Sequence, residues 1–137
     1  MPQAYLIDTN IICDIYLPER SGKKSSIECL NRLEGSSAYS SWIASHSVAT
    51  IFYLLKKPLG RETIKSELLG LLQWTDIVPL DTNYSLKAFD YGMSDFEDSL
   101  QSACAELVSA EGIITRNTKD FRNPPVPPLT PEEFLDL

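Results

Sequence analysis

Ala4-Tyr5-Leu6-Ile7-Asp8-Thr9-Asn10 decides the fold of this chain. Four apolar residues in succession leave no polar face. The run therefore reads as a strand buried on both sides, as in a parallel sheet covered by helices. It closes on an aspartate, a hydroxyl and an amide. At the carboxyl end of such a strand these residues fall on the rim where open α/β sheets hold their ligands. Gly112-Ile113-Ile114-Thr115 repeats the pattern late in the chain and ends at Arg116-Asn117-Thr118-Lys119-Asp120. Parallel strands put the ends carrying Asp8 and Thr115 on one rim.

Working outward, Tyr39 to Ala44 and Asp76 to Leu80 read as two further strands, the second an edge strand at Pro79. Helical periodicity fills the intervals: Ser25 to Leu33, Ser45 as N-cap of a helix to about Lys57, Arg61 to Trp74, and Asn83 to Tyr91. Residues 123–128 are proline-rich and extended, with Val126 in a last short strand. Thr130-Pro131-Glu132-Glu133 opens a terminal helix with a capping box and proline at the first helical position. Strands alternating with helices predict an α/β fold in three layers, a mainly parallel central sheet with helices on both faces. At 137 residues the chain reads as one domain over 1–137.

Hydrophobic residues make up 43% of the chain and charged ones 23%, ordinary values for a soluble globular protein. No apolar run approaches the roughly 20 residues of a membrane span, and no signal peptide is visible. Cys13, Cys29 and Cys104 form no Cys-x-x-Cys pair and read as buried thiols, which predicts a cytoplasmic protein without membrane contact. The net charge of −7 argues against a surface coated for nucleic acid. Lys56, Lys57 and Arg61 cluster around Pro58-Leu59-Gly60 and read as a solvated basic face. The tyrosines and tryptophans are scattered through the sequence, so no stacking platform is evident.

Met93-Ser94-Asp95-Phe96-Glu97-Asp98-Ser99-Leu100-Gln101 carries the chemistry. Ser94 and Glu97 have capping-box spacing. Phe96, Leu100, Ala103, Cys104 and Leu107 form one apolar stripe, and Asp95 and Asp98 lie nearly opposite it, about 60° apart. Aspartate is a poor helix former, which singles out Asp98 inside the helix. Like charges this close repel unless something positive lies between them. Together with Asp8, Asn10, Asn117 and Asp120 they suit Mg²⁺ or Mn²⁺, which take oxygen ligands. No His/Cys spacing supports zinc. His46, the single histidine, reads as a solvated or hydrogen-bonded surface residue.

Leu6-Ile7-Asp8-Thr9-Asn10, Asp95-Phe96-Glu97-Asp98-Ser99-Leu100-Gln101 and Ile114-Thr115-Arg116-Asn117-Thr118-Lys119-Asp120-Phe121, in this order and spacing, resemble the PIN-domain family with its VapC-type toxins. The resemblance implies a PIN-like α/β fold whose sheet rim holds Mg²⁺ or Mn²⁺ and cleaves RNA. It implies that Asp8 and Asp98 hold the metal, with Asp95 assisting as ligand or second acceptor. Asn117, where many members have a fourth aspartate, and Asp120 would orient water or a second ion. Thr9, Asn10 and Thr115 would support the first aspartate, and Arg116 would contact a substrate phosphate. A small antitoxin partner and a homodimer are further implications. Thr50 stands where many members carry a helix glutamate. With Asn117 also neutral, the alternative is a weakened PIN-like module that binds RNA or protein without cutting.

Overall fold

The opening strand runs from Gln3 to Ile7 (β1) and lies at the centre of a five-stranded sheet. In the computed structural model, which describes residues 1–17, 21–93, 95–122 and 124–137, it is followed by α1 (Thr9–Asp14), α2 (Lys23–Glu34), β2 (Tyr39–Ala44), α3 (Ser45–Leu59) and α4 (Arg61–Leu71). Then come β3 (Asp76–Val78), α5 (Thr82–Ala88), α6 (Phe96–Leu107), β4 (Gly112–Ile114), β5 (Pro128–Leu129) and α7 (Pro131–Leu135). The strand order is β3-β2-β1-β4-β5, and every pairing is parallel.

Two-residue alternation along the strands divides the core. Tyr5 and Ile7 of β1, Ile43 of β2 and Ile114 of β4 face one side, against Ile11, Leu30, Ile51, Leu55, Ile64 and Phe134 from the helices. Leu6, Ala44 and Ile113 face the other, against Cys104 and Ala105 of α6. The sheet is thus covered on both faces, as its unbroken apolar strands require. Each fully buried Leu or Ile contributes about 1.5–3 kcal/mol relative to exposure.

Chain order reverses around β1: β2 and β3 extend the sheet one way, and β4 and β5 the other. The crevice between the carboxyl ends of β1 and β4 is the switch point at which such sheets bind ligands. Ile7 pairs with Ile114, so Asp8 and Thr115 are the next residues out on neighbouring strands.

Several elements differ from the sequence expectation. Ser94 lies outside the described residues; Asp95 is the N-cap of α6, its carboxylate accepting the Glu97 N–H at 2.8 Å. Phe96 is 42% exposed instead of core-facing and stacks on Phe89 at 4.4 Å between centroids. The buried side of α6 is Asp98, Ser99 and the run Gln101 to Ala105. This helix is covered both by the sheet and by α5, so small residues are selected where it approaches its neighbours. Val126 is buried but precedes β5, which starts at Pro128. Thr130 and Glu133 form the expected capping box with Pro131 at the helix start. Among the described residues no helix is long and apolar enough to cross a membrane, and all three cysteines are buried thiols.

Candidate functional site

Asp8 caps α1 and is 3% exposed. The Thr9 N–H donates to its Oδ1 at 2.7 Å, and the Thr115 hydroxyl donates to its Oδ2 at 2.7 Å. The Asn117 N–H in turn donates to the Thr115 hydroxyl at 3.0 Å. The two strand ends are thereby joined by one carboxylate. Burial nonetheless pushes Asp8 up from 3.8 to about 6; the hydrogen bonds from Thr115 and Thr9 work against this, and the charges of Glu97 and Asp95 add to it.

Asp98 is buried in the first turn of α6 and pushed up to about 7, first by burial and then by the charges of Asp8, Asp95, Asp120 and Glu97. The sequence expectation placed this side chain opposite the apolar stripe, away from the core. The structure sets it inside a cleft of about 220 Å³, with Asp8, Thr9, Asn10, Asp95 and Asn117 among the lining residues. Asp95 and Asn117 are exposed at its mouth. Asp120 closes a 3-10 turn outside the lining, near enough for its charge to act on Asp98.

Arg116 does not reach the cleft. Its backbone N–H donates to Asn10 Oδ1 at 3.4 Å, but its guanidinium is bound by both Glu132 oxygens, at 2.7 and 2.8 Å, by Ser26 Oγ at 2.9 Å and by the Gly22 carbonyl. A Cβ on Gly22, which has φ +79°, would lie 2.6 Å from the guanidinium carbon, so glycine is required there. The expected phosphate contact is thus replaced by a clamp joining α2 and α7. His46 is half-buried, and its Nε2 is shielded with no hydrogen-bond partner among the described residues; burial lowers its pKa against the pull of Glu97.

Sequence reading missed four residues. Glu97 and Asp14 also line the cleft, Asp14 one helical turn beyond Asn10 on α1, a spacing that was visible. Beneath the floor, Gln101 is fully buried, its Nε2 donating to Ser47 Oγ at 3.0 Å and to Thr9 Oγ1 at 3.3 Å, while the two hydroxyls lie 2.7 Å apart. This network fixes α6 and α3 to the residue beside Asp8. Thr50 does line the cleft, with its hydroxyl donating back to the His46 carbonyl at 3.1 Å.

The donors are oxygens from carboxylates, amides and hydroxyls, the set that hard divalent cations take. Among the described residues no three His, Cys, Asp or Glu side chains converge on one point. A cation here would have to keep several waters, as Mg²⁺ does, and Asp8 and Asp98 are the buried carboxylates that could hold it.

A parallel sheet with crowded, desolvated carboxylates at its switch point defines an α/β protein with an acidic, all-oxygen site. The chain belongs to the PIN domain family, whose model matches residues 4–119. Ribonuclease VapC1 of Aquifex aeolicus (strain VF5) is 27% identical over 135 residues, covering 95% of this chain and 92% of that protein. Solved structures are similar as well, two among them as follows. VapBC2 from Rickettsia felis, bound to a DNA fragment from its promoter, gives a TM-score of 0.73 at 19% identity, covering 93% of this chain and 98% of that one. A toxin–antitoxin complex from Klebsiella pneumoniae gives 0.67 at 25% identity, covering 93% and 97%.

Proposed function

We propose that this chain is a Mg²⁺- or Mn²⁺-dependent ribonuclease, the toxin of a toxin–antitoxin pair, acting in the cytoplasm. The observation that carries the reading is the placing of Asp8 and Asp98 in one cleft, where both carboxyls are pushed up first by burial and then by the acids around them. The similarity to a VapC ribonuclease and to a toxin–antitoxin complex supports it.

The bound cation would supply an activated water and neutralise charge on the phosphate. The chain's residues do the rest. Thr115 and the Thr9 N–H fix the carboxylate of Asp8. Asp98 faces it from α6, held in register by the Gln101 network. Asn117, at the mouth, offers an amide to orient water or a phosphate oxygen, and Asp95 and Glu97 deepen the negative potential that draws the cation. The groove lined by Ile12, Tyr16, Leu30, Leu68 and Trp74, with Glu34 and Glu67 among its other lining residues, offers a mixed apolar and acidic surface for the antitoxin. The exposed Leu86, Phe89 and Phe96 offer one for a second copy.

The test is cleavage of single-stranded and structured RNA with Mn²⁺ or with chelator. Asp98→Asn is expected to abolish Mn²⁺-dependent product; product that persists in this variant sinks the assignment. Thr50 in the cleft favours a second reading, a weakened module that binds RNA without cutting. In that case RNA is retained and no Mn²⁺-dependent product forms.

A further inference from the structure

α3 ends at Gly60, whose φ of +86° turns the chain directly into α4. This corner brings Lys56 and Arg61 into one groove with the rings of Phe52 and Tyr53, and Lys57, the next residue along α3, is exposed. Lys56 Nζ lies 5.6 Å from the Tyr53 ring centroid, and the Arg61 guanidinium lies 5.9 Å from that of Phe52. Aromatics that look scattered in the sequence are therefore interleaved with cations in space. Phe52, Tyr53, Lys56 and Arg61 line one open groove between α3 and α4, and no acidic side chain among the described residues lines it. Tyr53 is 73% exposed, far more than a tyrosine that serves the core.

The strip and the acidic cleft share helix α3. Thr50 and Leu54 line the cleft from α3. Tyr53 follows Thr50 by three residues and Lys57 follows Leu54 by three, so each is the next position around the helix; Lys56 follows Tyr53 by the same step. A chain leaving the cleft across α3 meets a ring, two ammonium groups and a guanidinium in turn. The protein carries a net charge of −7, so a groove holding Lys56 and Arg61, with no acid among its described lining residues and Lys57 exposed next to Lys56 on α3, favours anions.

We propose that this α3–α4 strip binds the single-stranded RNA that flanks the scissile phosphate. Tyr53 stacks a base, and Lys56, Lys57 and Arg61 contact successive backbone phosphates. Single-stranded nucleic acid is bound by this combination of cations tracking the backbone and aromatic faces stacking its bases. A second copy docked face to face would oppose six cations, which disfavours this surface as a dimer contact. The inference rests on the ribonuclease reading for the position of the scissile bond, but its test does not depend on cleavage.

The test is fluorescence anisotropy of a labelled single-stranded oligouridylate in chelator, with Asp98→Asn as the parent. Lys56→Gln/Lys57→Gln/Arg61→Gln is expected to weaken binding by roughly tenfold or more and to lower the salt slope by about 2. Tyr53→Ala is expected to weaken it by roughly tenfold with an unchanged salt slope, and Tyr53→Phe to restore it. All four side chains are largely exposed, so circular dichroism and melting should match the parent. Unchanged affinity and salt slope in the triple variant overturn the proposal, as does a change in sedimentation that assigns the strip to a protein contact. Strip-dependent binding without cleavage by the unmutated protein supports the strip and sinks the ribonuclease reading. Mn²⁺-dependent cleavage with strip-independent binding does the reverse.

Discussion

A buried carboxylate costs folding energy unless donors satisfy it, and Asp8 has two: a backbone N–H and the Thr115 hydroxyl. Thr115 was legible as the last residue of a buried strand beside Asp8. The hydrogen-bond relay from Asn117 through its hydroxyl was not, because it depends on side-chain geometry across two strands. Thr115→Val keeps the shape and removes the donor. The variant is expected to lose about 1.5–3 kcal/mol at pH 8, where Asp8 is charged, and less at pH 5, where it is mostly protonated. Loss of a contact that favours the charged form also moves Asp8 further above 6. Urea denaturation at the two pH values measures both effects, and Thr115→Ser, which keeps the hydroxyl, should recover most of the loss. Gln101 and Ser47 escaped the sequence reading for a related reason: a glutamine or serine on a helix is ordinarily solvated, and only the closure of α6 onto α1 and α3 buries them.

Among the elements, α6 shows where periodicity stops informing. A single apolar stripe assumes one covered face, whereas α6 is covered on two, so its inner positions are serine, glutamine and alanine and its phenylalanine lies outside. Asp98 then reads as facing away from the core although it is buried. Strand identity was more legible, because a run without a polar face has few alternatives. The terminal helix α7 is held to α2 by Arg116, the residue expected at the substrate. Three partners on two elements make it a structural side chain. Arg116→Ala is expected to destabilise the fold by about 1–3 kcal/mol, since it removes the tie between α2 and α7 and leaves the buried Ser26 hydroxyl without its guanidinium donor. RNA affinity of the folded fraction should be unchanged. Thermal melting with oligouridylate anisotropy separates the two; a loss of affinity at constant stability would return Arg116 to the substrate path.

At the scale of the whole molecule, the acidic cleft makes stability depend on pH and on divalent cations in a fixed direction. Asp8 and Asp98 titrate near 3.8 when unfolded and near 6 and 7 when folded. Between these values the folded state holds protons that the unfolded chain has released, so stability falls as pH rises through the interval. His46 runs the other way: its folded pKa lies below 6.5, so the unfolded chain binds more protons there and stability rises with pH. Glu106 and Glu132 are lowered from 4.5, so their contribution is complete by about pH 5 and does not change the comparison of pH 5 with pH 8. Two carboxylates outweigh one imidazole, and the chelated protein is expected to melt lower at pH 8 than at pH 5, with His46→Gln widening the difference. A cation at ten times its dissociation constant would add about 1.4 kcal/mol, or roughly 3–6 °C in melting temperature at this chain length. Scanning calorimetry should therefore show Mn²⁺ raising the melting point at pH 8 far more than at pH 5, where protons already neutralise the carboxylates. Asp8→Asn/Asp98→Asn should be insensitive to the metal and nearly flat in pH once His46 is replaced. If the chelated protein is instead more stable at pH 8 with His46 replaced, the two carboxylates are not held in a desolvated cleft, and the cation has no repulsion to relieve.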